Sequence, residues 1–315
     1  SRLGIGTSTP VQALSVAGTG YFAGNVNLDQ FSNYQLNGLT VLSATTTTFN
    51  TLAGFYAGAN IVSTSTSNTS GIQNTALGYE ALRYATSTDS NTAVGYQALR
   101  MSSSGTADNS GYSNSALGAY ALYSNTTGYN NSAMGRNALY SNTTGNNNIA
   151  MGRAALYYNA SATNTVAIGY QVANGTALYN NQGGTYLGYQ AGYSAGTGSN
   201  YNTLLGYQAG YGITTGAYNI VIGQNVEAPT VTSNQQLNIG NLVYGTGIYN
   251  GSTVSSGPVA GGLLGISTTT PYAKLSVVGG TSGTVIAVDS ITGFSGNLLD
   301  LKVASSTKFV INQNG

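Results

Sequence analysis

The chain carries seven carboxylates, Asp29, Glu80, Asp89, Asp108, Glu227, Asp289 and Asp300, and neither histidine nor cysteine. Nucleophilic triads and zinc sites are assembled from His or Cys, so neither chemistry is expected. A glycosidase needs two carboxyl groups facing one another across a sugar. Glu80, Asp89 and Asp108 sit on neighbouring copies of a repeat and form the candidate set, but no spacing rule joins them. Isolated, solvated carboxylates are the plainer reading, and the chain is expected not to be an enzyme. Calcium loops of the repeat kind need a periodic Asp, which is missing. The glycine-rich GTGSN at Gly196 lacks the GK[ST] and helix of a phosphate cradle. No metal or cofactor is expected.

Tyrosine is the residue in excess, at 25 of 315. Tyr79, Tyr96, Tyr170, Tyr189 and Tyr207 each follow a glycine directly, and Tyr123, Tyr140, Tyr157, Tyr193 and Tyr211 lie five residues after one. Two aromatic columns could contact a sugar or another surface, because Tyr joins an apolar body to a polar tip. They could equally stack between turns and fill a subunit interface, which is the reading preferred here.

Those columns exist because the sequence repeats. NTALGYEAL from Asn74 recurs as NTAVGYQAL from Asn91, NSALGAYAL from Asn114, NSAMGRNAL from Asn131 and NIAMGRAAL from Asn148. The central glycines are Gly54, Gly78, Gly95, Gly118, Gly135, Gly152, Gly169, Gly188, Gly206, Gly223 and Gly240, and six of the ten gaps between them are 17 residues. Numbering each copy from its glycine as position 0, position −1 is Ala, Leu, Val, Met or Ile and position +3 is Ala or Val in all eleven copies. Both columns are expected to be buried. Asn occupies position −4 in eight copies.

Two short apolar strand-like pieces, one glycine and an Asn/Thr/Gly-rich connection per 17 residues describe one rung of a β-solenoid or β-roll. The expected fold is all-β, a parallel β-roll of about eleven rungs and, at ~4.8 Å per rung, about 50 Å long. Stacking accounts for the scarcity of charge, 5% of residues with a net charge of +1. A charged column repels itself, whereas Asn can hydrogen-bond along its column as a ladder. Arg136 and Arg153 share one column, as do Arg83 and Arg100. At ~5 Å in water such a like pair costs about 1 kcal/mol at most, tolerable on an exposed face.

With eight scattered cations no basic stripe follows a phosphate backbone, so nucleic acid is not an expected partner. No apolar run is long enough to span a bilayer as a helix. The chain opens on Ser1-Arg2 within a motif and is read as a segment of a longer polypeptide. LGIGTSTPVQALSV from Leu3 aligns with LGISTTTPYAKLSV from Leu264 at a constant offset of 261. The expected division is an N-terminal β module over 1–49, a repeat rod over 50–248 and a C-terminal β module over 249–315.

The repeats closely resemble the head repeats of trimeric autotransporter adhesins, with a longer loop on each rung. The flanking GIGT-x-x-P pieces resemble the β modules of phage tail-fibre and tail-spike proteins. The first resemblance implies left-handed parallel β-rolls packed three around an axis; together they imply an extracellular, cell-surface or virion fibre. The expected function is a rigid spacer and attachment surface, self-associating as a homotrimer that could join end to end, with a host-surface glycan or protein as candidate partner. The rivals are a monomeric ice- or surface-binding solenoid, suggested by Thr75, Thr92 and Thr203 but interrupted at Ile149 and Ile220, and a carbohydrate-degrading spike.

Overall fold

The structure is a computed structural model that describes residues 49–61, 71–86, 88–100, 111–248 and 262–279 in full, and the backbone of strands within 3–44 and 297–312. Among these residues there are strands, turns and bends and no helix. The first strands are β1 (Leu3–Ile5), β2 (Leu14–Val16), β3 (Tyr34–Leu36) and β4 (Leu39–Ala44). The repeats supply β5 (Thr51–Ala53), β6 (Thr75–Leu77), β7 (Thr92–Val94), β8 (Ser115–Leu117), β9 (Ser132–Met134) and β10 (Ile149–Met151). They continue as β11 (Val166–Ile168), β12 (Thr185–Leu187), β13 (Thr203–Leu205), β14 (Ile220–Ile222) and β15 (Gln236–Ile239). After them come β16 (Val243–Thr246), β17 (Leu263–Ile266), β18 (Leu275–Val277), β19 (Asn297–Val303) and β20 (Ser306–Asn312).

From β5 to β15 neighbours pair in parallel and in register, so each residue lies opposite its equivalent one turn on, as Ala133 does between Ala116 and Ala150. This is a parallel β-solenoid of about nine turns with a period near 17 residues. Eleven rungs were expected from the glycine count, and the two terminal copies behave differently from the rest. At one end β5 pairs antiparallel with β4; at the other, β15 turns into antiparallel β16. Gly240 accordingly has φ +60, where the glycines from Gly54 to Gly223 at position 0 lie between +124 and +139.

Those ten values are inaccessible to residues with a side chain at ordinary cost, and the space is closed as well. A Cβ on Gly152 would lie 2.2 Å from the carbonyl oxygen of Gly169 on the next turn. Backbone rests directly on backbone here, which is why the column tolerates no other residue.

Three further corners per turn are left-handed, mostly without glycine, the exceptions being Gly58, Gly192 and Gly210 at +4 and Gly183 at −5. Position −5 (Ser113, Asn130, Asn147), position +2 (Gln97, Asn137, Gln190) and position +4 (Leu122, Leu139, Leu156) all have φ between +47 and +62. Each such residue costs about 1 kcal/mol. Backbone hydrogen bonds to the adjacent turns offset it: Asn137 N donates to Ala119 O at 3.0 Å and Leu139 N to Ala155 O at 3.0 Å. Short strands and tight corners together leave the backbone groups of a turn paired with the turns before and after.

The corners also decide what is inside. Ala at position −2 (Ala76 to Ala167), Ala or Val at +3 and Leu at +4 (Leu82, Leu99, Leu122, Leu139, Leu156) form one continuous core along the rod. The large member of the core is therefore Leu +4, reached through a left-handed corner. Position −1, expected to be buried, faces outward: Leu77 is 51% exposed, Met134 48% and Leu187 45%. In a three-residue strand the side chains alternate, so with −2 inside, −3 and −1 must point out.

The flanking motifs behave alike. Leu3 pairs with Leu14 and Ile5 with Val16 in parallel, and Leu264 pairs with Leu275 and Ile266 with Val277 in the same arrangement. Among the described residues one sixteen-stranded sheet runs from β3 to β18, continuing across 49/50 and 248/249, while β19 and β20 form a separate antiparallel pair.

Candidate functional site

Within the rod, position −4 builds a buried polar ladder. Asn114 Oδ1 accepts from Asn131 N at 3.0 Å and from Asn131 Nδ2 at 3.1 Å, and Asn131 Nδ2 also donates to Gly145 O at 2.8 Å. Asn131 Oδ1 then accepts from Asn148 in the same way. Every member from Asn74 to Asn148 is fully buried. The column closes each loop onto its strand and each turn onto the next, and an apolar residue there would orphan a carbonyl and an amide.

The tyrosines form face-to-face ladders between turns, as expected. At position +1, Tyr79 stacks on Tyr96 at 5.3 Å, and Tyr170, Tyr189 and Tyr207 follow one another at 5.2 and 4.9 Å. At position +5, Tyr123, Tyr140 and Tyr157 are stacked at 5.1 and 4.9 Å, and Tyr193 and Tyr211 at 4.9 Å. At +1, Tyr79, Tyr96, Tyr189 and Tyr207 are exposed, whereas Tyr170 and, at +5, Tyr123, Tyr140, Tyr157 and Tyr193 are half-buried. Two short ladders were missed, Tyr112 on Tyr129 and Tyr201 on Tyr218, although their 17-residue separations carried the signal.

The three described carboxylates, Glu80, Asp89 and Glu227, each have separate partners. Glu80 is buried and ion-paired to Arg83 and, at 2.6 Å, to Arg100, while Gln97 Nε2 donates to it at 2.7 Å. Burial alone would raise its carboxyl, but hydrogen bonds from Arg100, Gln97 and Tyr79 outweigh that and hold it below the ordinary range. Asp89 Oδ1 accepts from the Ile72 amide at 3.0 Å. Glu227 accepts from the amides of Gly212 and Ala228, and its carboxyl is pushed up by burial. Asp29, Asp108 and Asp289 lie outside the described residues, and of Asp300 only the backbone is described. Among the described residues no three metal-binding side chains cluster, and no helix is long and apolar enough to cross a membrane.

The arginine columns divide. Arg136 and Arg153 are exposed, as expected of a tolerated like pair. Arg83 and Arg100 are instead half-buried around Glu80 and sandwiched by rings: Arg83 lies 4.6 Å from the Tyr56 centroid, and Arg100 4.7 Å from that of Tyr84. Counter-charge and aromatic faces, rather than solvent, make that pair tolerable.

Two lateral surfaces remain. One is the flat strand face, with Thr, Ser, Ile or Val at −3 and the apolar −1 column beside it. The other carries the +1 and +5 tyrosine ladders, which meet through Tyr120. Comparison with protein-family models, curated proteins and solved structures finds no match, so the function must be argued from these surfaces themselves.

Proposed function

We propose that this chain is a non-catalytic structural segment of an extracellular homotrimeric fibre, a rigid spacer about 45 Å long that also offers an attachment surface. The observation that carries this reading is the outward −1 column. Leu77, Leu117, Met134, Met151, Leu187 and Leu205 are between 36% and 51% exposed, each on a turn of its own along one face of the rod. Single exposed apolar residues are ordinary, but an all-apolar row repeated turn after turn, interrupted in its exposure between Leu77 and Leu205 only at the half-buried Val94 and Ile168, marks a surface that another surface covers. A second and third copy supply identical rows in identical register, and closed rotational symmetry covers all three at once. The likeness of the repeats to trimeric adhesin heads supports three as the number. Repetition of weak surface sites on three parallel rods then gives attachment by avidity.

The solution mass tests this reading. Light scattering is expected to return about three times the chain mass of 32.0 kDa. Replacing Met134 and Met151 together by Lys, which buries like charges in adjacent rungs of the proposed interface, is expected to return the monomer mass with the β-rich circular dichroism retained. A wild-type monomer overturns the proposal. The outward Thr and Ser residues at −3 favour one rival, an ice- or surface-binding solenoid, and thermal hysteresis activity in a monomer would establish it.

A further inference from the structure

The +5 tyrosine column is interrupted once between Tyr123 and Tyr211, at Asn174. Tyr157 closes the ladder below and Tyr193 opens the ladder above. On the turn before, the +2 column loses its large side chain too, at Ala154, between Asn137 and Gln171. Two column defects, diagonal to one another on adjacent turns, leave an open cavity of about 420 Å³ lined by Tyr157, Asn174 and Tyr193 from one column and Asn137, Ala154 and Gln171 from the other. With turns stacked at ~4.8 Å, the missing ring leaves Tyr157 and Tyr193 roughly 10 Å apart, the separation at which one flat ring fits between two others.

The lining chemistry selects what that ring is. Tyr158 also lines the cavity and stands edge-on to Tyr157, at 4.5 Å and 80°, as a side wall. Gln171 accepts from Gln190 through its oxygen at 2.9 Å, which leaves its own amide NH2 for the cavity. The Asn137 side-chain amide has no hydrogen bond among the described residues. Arg153 is exposed at the cavity and 5.6 Å from the Tyr170 ring, and no carboxylate lines the cavity. Aromatic faces with polar amides suit the C–H face and hydroxyls of a pyranose, and an unpaired guanidinium suits a carboxylate.

We infer that this cavity binds a single carboxylated pyranose residue, a hexuronate or a similarly acidic sugar, with its ring in the vacant rung of the tyrosine column and its carboxylate on Arg153. The inference deepens the attachment role proposed above, but it rests on one chain's geometry and does not require the trimer.

Methyl β-glucuronide, with methyl β-glucoside and benzoate as controls, titrated into the full chain and read by ligand-observed NMR, tests it. The glucuronide is expected to bind at least about tenfold more tightly than the glucoside. Arg153→Gln is expected to abolish that preference. Asn174→Tyr and Ala154→Gln, each restoring a residue native to its column, are expected to abolish binding while the rod stays folded. Equal binding of both glycosides, a preference for benzoate, or unchanged affinity in a folded variant with either gap filled would overturn the assignment. Solution mass, measured on the same samples, separates the two proposals. A trimer that ignores the glucuronide removes the pocket alone, and a monomer that binds it removes the fibre alone.

Discussion

The turns between Ser115 and Thr165 and those between Thr75 and Arg100 solve the same stacking problem in opposite ways. In the former, the −4 and +5 columns hold like neutral residues, Asn on Asn and Tyr on Tyr, each contacting its own kind, and the one charged pair, Arg136 and Arg153, stands exposed. In the latter the +5 column places Arg83 beside Arg100, and the self-repulsion is relieved sideways, by Glu80 from the +2 column and by the rings of Tyr56, Tyr84 and Tyr123. A solenoid column thus admits charge where a neighbouring column supplies the opposite charge, as at Glu80, or where solvent screens it, as at the exposed Arg136 and Arg153. Both conditions are restrictive, in keeping with a chain of which 5% is charged.

The largest expected effect breaks what both regions share. Gly152→Ala puts a Cβ against the Gly169 carbonyl at φ +128, and is expected to cost more than about 3 kcal/mol by chemical denaturation. Next comes the neutral ladder. Asn131→Ala strands the Gly145 carbonyl and the Asn148 amide in the interior, for an expected loss of about 2–3 kcal/mol in the same assay.

The charged turns are expected to respond to pH where the neutral ones do not. The Glu80 carboxyl is held below its unfolded range, so its stabilisation is complete above about pH 4.5 and is lost as pH falls through the folded value. Glu80→Gln should flatten the acid limb of the melting-temperature profile and cost about 1–2 kcal/mol at neutral pH, since two arginines lose their counter-charge. An acid limb identical to wild type would show that Glu80 does not set it. At the other extreme, burial pushes the Tyr186 hydroxyl up to about 12, so stability is full below its unfolded value of 10.0 and falls as pH rises toward 12. Tyr186→Leu, the residue found one turn on at Leu204, should reduce that alkaline loss, leaving the share that the fully buried Tyr179, also pushed up by burial, contributes. Smallest is Tyr140→Leu, which opens the +5 ladder on both sides and is expected to cost about 0.5–1.5 kcal/mol.

Much of this arrangement was legible beforehand. The glycine spacing, the Asn column and the paired tyrosines all follow from one condition, that residues a turn apart become neighbours in a parallel stack. The two short ladders at Tyr112 and Tyr201 obeyed the same condition and could have been read from it. The candidate carboxylates were different. Glu80 and Asp89 sit in neighbouring repeats, but their contacts are to Arg83, Arg100, Gln97 and the Ile72 amide, partners set by which corner each side chain leaves.

Period, fold class and column membership are thus properties of the sequence by itself, because register in a solenoid is an identity relation between equivalent residues. Direction is not. Position −1 and position +4 are both apolar in repeat after repeat, yet Leu139 is fully buried and Met134 is half exposed. Left-handed corners at +2 and +4 reset the inside–outside alternation between them, and no periodicity in the sequence reports a positive φ at a leucine. Only the tertiary structure therefore decided which apolar column is core and which is left for a partner.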